Sequence, residues 1–457
     1  MLFAVVLFLM TLTVAALLLS ALVPARAIVR FGCIVNAVQL HSVSLVGIYP
    51  SLALLSWLAL WRTALSGALW RWGWMQILLG LALAQALSIL WAPAPLAGVR
   101  HLIYFLPLLL VSHAFYGLTL QRASSAQKCL HALLAGSALV AVLVIVFRLL
   151  PGLEHTFLLS PFARLLISPN TLDALFDGWR NNVLDPAKAG GIFVNANIAS
   201  AYLGMSAVAA WYVGRAHASK LLRTVAMLDW VAVAFTGSKA GLVCALIVPL
   251  AMMTITVAQR RKAHPLSFVG VTLTLACVVV VMLLPIGRET LEAYGSETSA
   301  TLGTREQIWQ FAWQMARQHP FTGLGFGGWE QRFQLPAMLQ GFAVSIPPHN
   351  SLFILWLQSG ALGLAAGTAF VFAVFAAGWR AARTHSLLAM ATAGAFAWYL
   401  IQGMGENFGL VGEIHMTPLL GALLGYSCAQ HDNVSVPHEC GVKILRSPDP
   451  SPALPAV

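Results

Sequence analysis

The chain has 457 residues, of which 59% are hydrophobic and only 9% are charged, and its formal net charge is +11. This composition excludes an ordinary soluble domain, in which about 25% of the residues are charged. Apolar runs of about 17–25 residues recur along the chain, and this is the length of helix that crosses a bilayer. The sequence therefore predicts an all-α polytopic membrane protein.

The positive net charge has an ordinary explanation in membrane topology, because Lys and Arg collect in cytoplasmic loops. No basic stretch is interleaved with aromatic residues on a soluble face, so nucleic-acid binding gains no support. Most of the six cysteines lie in or beside apolar runs, and the two long polar loops carry none. Neither a disulfide framework nor a metal cluster is indicated.

Hydropathy predicts about twelve transmembrane helices. The first, at 2–22, lacks a basic region before it, so it is predicted to be a span rather than a cleaved signal. The others are predicted at 40–61, 72–92, 101–118, 127–149, 191–213, 221–237, 239–258, 265–286, 351–377, 386–404 and 414–429.

The short loops between these spans set the predicted orientation. Their basic residues fall on one side, which is therefore cytoplasmic: Arg62, Arg71, Arg122, Lys128, Arg215, Lys220, Arg223, Arg260, Arg261, Lys262, Arg380 and Arg383. An even number of spans places both termini there too. The predicted organisation is a membrane body at 1–430, outward-facing loops at about 151–190 and 287–349, and a disordered cytoplasmic tail at 431–457.

The second outward loop is predicted to be partly helical. Thr304 and Gln307 have the spacing of a capping box, which places Arg305 in the first turn of a helix. The periodicity gives this helix an apolar side and a polar side. The apolar side is Ile308, Phe311, Ala312 and Met315, and the polar side is Glu306, Gln310, Gln314 and Arg317.

The end of the same loop carries two further features. Gly323 and Gly325 lie in a glycine-rich turn that permits tight backbone and close approach of a ligand. Asn350 is predicted to cap the next helix, which fixes His349 where the polar loop meets the membrane. A neutral imidazole, with an ordinary pKa of about 6.5, can take a proton from a sugar hydroxyl. The alternative is a structural hydrogen bond at the membrane interface.

A set of cations is predicted on the outward side: Lys188, Lys239, Arg288 and Arg305, with Arg100 and Arg180 as further members. Arg305 falls on the apolar side of its helix, away from the polar residues. It also lies in the first turn, where a cation opposes the helix dipole unless an anionic ligand shares that end. Because Arg and Lys are the usual phosphate-binding side chains, the set indicates a phosphate or pyrophosphate site. The alternatives are that Lys239 extends to lipid headgroups and that Arg305 lies on the surface.

Features inside the spans are assigned structural roles. Asp229 is predicted to make a helix–helix hydrogen bond, although an ionisable residue within a span is also a candidate functional group. Gly363 and Gly367 are predicted to allow close helix packing. No aspartate cluster accompanies the outward cations, so no metal site is predicted.

Three stretches of the chain resemble the O-antigen ligase and polymerase superfamily of envelope glycosyltransferases. Residues 188–197 resemble its R-x-x-G-x-F-x-N-x-N, and residues 236–240 are similar to its T-x-S-R-[GA]. Residues 305–363 resemble its long-loop signature, which ends in H-N at His349 and Asn350. Lys188 and Lys239 replace two family arginines, which keeps the charge but loses the bidentate contact.

The resemblance implies an enzyme that transfers a glycan, O antigen, from undecaprenyl pyrophosphate to an acceptor hydroxyl. It implies a multi-pass protein of the Gram-negative inner membrane, with its active site facing the periplasm. The implied mechanism is inverting and needs no metal or cofactor. His349 takes the proton of the acceptor, while Lys239 and Arg305 stabilise the departing pyrophosphate. The implied substrate-binding residues are Lys188, Arg288, Asn195, Asn197, Ser238, Asn350, Gly323 and Gly325.

The implied acceptor is the lipid A–core sugar, because the outer loops are modest and no large additional domain follows the spans. An O-antigen polymerase and a protein O-oligosaccharyltransferase are the alternatives within the superfamily. A lipid or solute transporter is the alternative of another class. A transporter predicts paired charges within spans and two repeated halves, whereas here the charges gather at outward ends without visible duplication.

Overall fold

The computed structural model describes residues 2–40, 44–45, 48–65, 68–167, 169–175, 185, 187–259, 305–339, 347–406, 410 and 413–435. The described part is helical apart from one short hairpin. The predicted span at 265–286 and Arg288 lie outside the described residues.

Nine helices precede residue 185 in the described part: α1 (Leu2–Leu22), α2 (Ala25–Ala37), α3 (Leu52–Leu58), α4 (Trp61–Leu65), α5 (Gly73–Ser88), α6 (Pro95–Leu149), α7 (Pro151–Leu159), α8 (Ala163–Leu166) and α9 (Pro169–Ala174). Short 3-10 turns at Ala68–Arg71 and Ile89–Trp91 flank α5. The backbone of Arg122 is non-helical and divides α6 into two segments, which correspond to the two spans predicted there.

Eight helices follow in the second half of the described chain. They are α10 (Ala196–Ala216), α11 (Lys220–Phe235), α12 (Lys239–Gln259), α13 (305–318), α14 (Gly328–Leu339), α15 (Ser351–Arg383), α16 (Leu387–Gly403) and α17 (Thr417–Ser435). A 3-10 turn, Gly191–Phe193, precedes α10. Helix α17 packs along α6, and α10 packs between α11 and α16.

The prediction of one continuous span over 40–61 is wrong. Strand β1 (Ser44–Leu45) pairs antiparallel with β2 (Ile48–Ser51), and the short helices α3 and α4 follow. Pro50 accounts for the difference, because proline disfavours helical backbone at the residue before it and lacks a donor. A helix therefore begins only at Leu52.

Two other predicted boundaries also differ from the structure. The predicted span 351–377 is interrupted at Gly360, whose φ of +63° is readily adopted only by glycine. The tail predicted from 431 begins too early, because α17 continues to Ser435. Asp432 on its last turn accepts a hydrogen bond from the Tyr116 hydroxyl at 2.6 Å.

By length and composition, three of the described helical stretches can cross a membrane: Gly73–Trp91, Pro95–Leu149 and Ser351–Ala381. Shorter apolar helices lie at Thr13–Leu22, Leu52–Leu65, Lys239–Thr254 and Leu387–Gly403. The chain is thus a helical membrane protein.

Close packing at small residues and one hydrogen bond to a buried carboxyl hold neighbouring helices together. A Cβ at Gly421 of α17 would lie 2.7 Å from the Leu108 carbonyl oxygen of α6, so the two helices are in direct backbone contact. Between α6 and α11, the Ser137 hydroxyl donates to the Asp229 carboxyl at 2.6 Å. This bond confirms the helix–helix hydrogen bond predicted for Asp229.

Helix α10 separates the two ends of the bundle. Its 21 residues correspond to about 30 Å, the thickness of the hydrocarbon core of a bilayer. The connection between α10 and α11 is flanked by basic residues, with Arg215 in the last turn of α10 and Lys220 and Arg223 in the first turn of α11. The predicted motif residues Asn195 and Asn197 lie at its other end, so they are about one membrane thickness away from that basic connection.

Gly204→Ala should destabilise the contact between α10 and α16. A Cβ at Gly204 would lie 1.9 Å from the indole ring of Trp398, which is fully buried. Overpacking of this kind costs about 1–3 kcal/mol, so we expect a lower melting temperature of the detergent-purified protein. The matched control is Gly80→Ala in α5, where a Cβ would meet nothing within 4 Å. Equal melting temperatures of the two variants would contradict this packing.

Candidate functional site

Two hydrogen bonds fix the loop that carries His349. The Trp309 indole of α13 donates to the Pro348 carbonyl oxygen at 2.8 Å. The Asn350 side-chain oxygen accepts from the backbone amides of Leu352 and Phe353 at 3.0 and 3.1 Å, which confirms it as the cap of α15. His349 lies between these fixed points with φ of +50°, a left-handed conformation that is uncommon outside glycine.

The predicted two-sided character of α13 is confirmed. Ile308 and Ala312 are buried in a cluster with residues of α14 and α15. The polar side is exposed, as shown by Glu306, Gln310, Gln314 and Arg317. Arg305 lies on the half-buried side, with 26% of its side chain exposed. Thr304 of the predicted capping box lies outside the described residues.

Close approach of a ligand is predicted at the glycine-rich turn. In the structure, other parts of the protein lie against these glycines instead. Gly323 and Gly325 have φ of +68° and +76°. A Cβ at Gly323 would lie 2.7 Å from the Gly360 nitrogen, and one at Gly325 would lie 2.6 Å from the Ala92 Cα. These glycines therefore allow the turn to pack directly against α15 and against the segment before α6.

The segment before α10 lies directly against the start of α12. The Ala189 amide donates to the Thr236 carbonyl oxygen at 3.1 Å. A Cβ at Gly237 would lie 2.1 Å from the Ala187 carbonyl oxygen. This contact brings the backbones carrying Lys188 and Lys239 to the same end of the bundle. Lys188 also pairs with Asp185, with 3.2 Å between the charged atoms.

The first turn of α10 is fixed to the last turn of α16 by one amide. Gln402 donates to the Asn197 carbonyl oxygen at 2.8 Å and to the Ser200 hydroxyl at 2.6 Å. Its oxygen accepts from the Trp398 indole at 2.9 Å. Because this buried amide has three partners, the start of α10 has a defined position relative to the residues after α16.

The segment 403–406 after α16 joins the remaining parts of the site. The Ser351 hydroxyl donates to the Gly403 carbonyl oxygen at 2.8 Å, and the Asn350 amide donates to that of Met404 at 3.3 Å. The carboxylate of Glu406 lies 3.9 Å from the guanidinium of Arg305. It also accepts a hydrogen bond from the Asn197 side chain.

Burial dominates the electrostatics of the two titrating groups. It raises the pKa of Glu406 to about 7, although Arg305, the Asn197 hydrogen bond and Lys188 act in the opposite direction. Burial, and then the charge of Arg305, lowers the pKa of His349 to about 4. The imidazole is therefore neutral at pH 7 and can accept a proton.

Other predicted site residues have local structural partners. Asn195 caps α10 by accepting from the Asn197 and Ile198 amides, and Ser238 accepts from the Gly241 amide in the first turn of α12. The structure thus brings together His349, Arg305, Lys188 and Asn197, with Lys239 as the first residue of α12 at the same end. Within the described ranges, no group of three or more His, Cys, Asp or Glu side chains is placed to hold a metal ion.

Glu406 and Gln402 are site residues that sequence reasoning missed. A signal for Glu406 was present, because the chain has only 15 acidic residues and this one directly follows the predicted span 386–404. Its relation to Arg305 is a contact between residues about a hundred positions apart. No periodicity or short motif reports such a contact.

These features define a helical membrane protein with cations, a neutral imidazole and a buried carboxyl gathered at one end of the bundle. Residues 224–368 match the family described as O-Antigen ligase, and the chain thus carries an O-antigen ligase family domain. The matched segment includes Lys239, Arg305 and His349, while Lys188 and Glu406 lie outside it. The activity that goes with this family is lipid-linked glycan transfer of the ligase or polymerase type. No curated protein matches the chain.

Arg305→Gln should raise the pKa of His349, because it removes the cation that disfavours the imidazolium. Mass-spectrometric measurement of hydrogen exchange at the imidazole carbon gives this pKa for individual histidines. We expect a wild-type midpoint near pH 4 and a higher one, by about half a unit or more, in the variant.

The matched control is Arg332→Gln, since Arg332 contacts His319 at 2.8 Å instead. This variant should leave the His349 midpoint in place. Equal midpoints in the wild type and Arg305→Gln would contradict the electrostatic contact between Arg305 and His349.

Proposed function

We propose that this protein is an O-antigen ligase. It transfers a glycan from undecaprenyl pyrophosphate to a sugar hydroxyl of lipid A–core, on the periplasmic face of the bacterial inner membrane. The observation that carries the proposal is the neutral imidazole of His349 beside the guanidinium of Arg305, at one end of a membrane bundle. The O-antigen ligase family domain supports the same chemistry.

The cations suit a lipid-linked diphosphate. Arg305 offers paired hydrogen-bond donors to phosphate oxygens, and Lys188 and Lys239 add point charges. Helices α10 and α12 both begin at this end, so the positive ends of their dipoles also favour an anion. Arg288, outside the described residues, is a further member of this proposed cation set.

The proposed transfer is a single displacement at the anomeric carbon. The His349 imidazole takes the proton of the acceptor hydroxyl while that oxygen forms a bond to the anomeric carbon. The bond between this carbon and the phosphate oxygen breaks on the opposite face, which inverts the configuration. Its electron pair leaves with the undecaprenyl pyrophosphate, whose added negative charge Arg305 and Lys239 stabilise. The imidazolium then releases its proton to solvent, and the bond broken in the donor supplies the energy.

The orientation of the bundle supports a periplasmic site. The connection after α10 is flanked by Arg215, in the last turn of α10, and by Lys220 and Arg223, in the first turn of α11. Connections with such basic ends remain in the cytoplasm. Because α10 is about one hydrocarbon thickness long, Asn197 at its start then lies at the periplasmic surface. The proposed donor and the lipid A–core acceptor are both lipids, so each can reach this surface by diffusing within the membrane.

His349→Ala should abolish transfer without affecting folding. We expect a fall in rate of about 10²–10⁴-fold, the usual contribution of a general base, in proteoliposomes supplied with undecaprenyl-linked glycan. The melting temperature in detergent serves as the control for folding. Full activity of the purified variant would exclude His349 from the mechanism.

The same proteoliposomes determine the acceptor when lipid A–core and a second lipid-linked repeat are offered side by side. The wild type should glycosylate lipid A–core, with or without chelator. Extension of the lipid-linked repeat alone would identify a polymerase instead, and movement of the lipid without transfer would identify a transporter.

Arg305→Ala should reduce turnover much more than the same substitution at Arg332, an exposed arginine of α14. Loss of a group that stabilises the leaving charge costs about 10²–10³-fold, whereas the control should stay within about twofold. Steady-state rates with the lipid-linked donor provide the comparison. Small and equal effects at both positions would refute a specific role for Arg305.

A further inference from the structure

We infer that Glu406 is a positioning residue of the donor site: it holds Arg305 and Asn197 in place in the donor-free protein and becomes protonated when the lipid diphosphate binds. This inference rests on the proposed function, because it takes a diphosphate as the ligand. It adds a residue that lies outside the matched family segment 224–368.

Glu406 lies between two elements of the candidate site. Glu406 is only 6% exposed, and its partners come from two different elements. Arg305 belongs to α13 and lies 3.9 Å away, and Asn197 belongs to the first turn of α10. Because a buried carboxylate needs such partners, Glu406 links two elements that are distant in sequence.

The backbone before Glu406 is held by hydrogen bonds to two helices. The preceding residues are fastened to α15 through Ser351 and Asn350, which donate to the carbonyl oxygens of Gly403 and Met404. Gln402 is fastened to α10 at Asn197 and Ser200. Glu406 therefore moves little relative to α10 and α15, and Arg305 has a defined anionic partner before any donor arrives.

The charge of a bound diphosphate would favour protonation of Glu406. A diphosphate at Arg305 brings two negative charges close to the Glu406 carboxylate, and like charges favour the protonated acid. The pKa of Glu406 is already raised to about 7 by burial, so one proton from solvent removes the repulsion near neutral pH. The resulting carboxylic acid can also donate a hydrogen bond to a phosphate oxygen, which the carboxylate cannot.

Two cations act on Glu406: Arg305 of α13, and Lys188 before α10, which itself pairs with Asp185. The other titratable groups at this end are His349, beside Arg305, and Lys239, which begins α12. The pKa of His349 is lowered to about 4. A change in donor affinity between pH 6 and 8 would therefore report protonation of Glu406 rather than of His349.

The test is the pH dependence of donor binding. The probe is a short-chain polyprenyl pyrophosphate carrying one N-acetylglucosamine, because both phosphates of such a diester stay ionised across the range. Uptake of one proton on binding makes affinity fall as pH rises through the pKa of free Glu406. We expect the Kd of the full-length detergent-purified wild type to increase about tenfold from pH 6 to pH 8.

Glu406→Gln keeps the size of the side chain but removes the titrating charge. It should bind the probe at pH 8 about as tightly as the wild type does at pH 6, with a Kd that is nearly independent of pH. The matched control is Glu413→Gln, which removes another buried carboxyl whose pKa is also raised to about 7. This control should keep the wild-type pH dependence, and so should His349→Gln between pH 6 and 8.

Four results would overturn the inference. A wild-type Kd that does not change with pH, or an unchanged pH dependence in Glu406→Gln, rejects Glu406 while leaving the donor assignment intact. Loss of the pH dependence in Glu413→Gln as well would assign the effect to general charge rather than to Glu406. No binding by the wild type at any pH would reject the lipid diphosphate itself, and with it the proposed function.

Discussion

The end of α16 determines where the candidate site forms. The last carbonyl groups of a helix have no partner within it and must find one elsewhere. Here the Ser351 and Asn350 side chains supply those partners for Gly403 and Met404, and Gln402 fastens the same turn to α10. As a consequence, the loop that carries His349, the first turn of α10 and the Glu406 carboxyl share one location.

The protonation states of Glu406 and His349 depend on burial and on the neighbouring Arg305. Burial favours the neutral forms of both Glu406 and His349, and Arg305 shifts the pKa of each downward. The donor-free site therefore holds a neutral base and an anion that shields the guanidinium. In the proposed donor complex, the diphosphate would replace the Glu406 carboxylate as the anion beside Arg305. Before the donor binds, Glu406 supplies the negative charge that offsets this guanidinium at the membrane boundary.

Local patterns predicted the elements that local physics controls. The two faces of α13 followed from periodicity, and the cap at Asn350 followed from its place before an apolar run. The interruption at Gly360 was missed because apolar composition alone cannot distinguish a continuous helix from one broken by a glycine. Glu406 was missed for a different reason, since its role depends on a distant guanidinium. Motif resemblance pointed to Lys188, Lys239 and Arg305 but not to the Glu406 carboxyl beside Arg305.

The most direct measurement is an experimental structure with an undecaprenyl-pyrophosphate-linked glycan bound. The account predicts the diphosphate in contact with Arg305, with Lys188 and Lys239 around it. It also predicts the His349 imidazole on the side from which an acceptor hydroxyl reaches the anomeric carbon. A diphosphate bound at the opposite end of α10, or an imidazole turned away from the anomeric carbon, would contradict it.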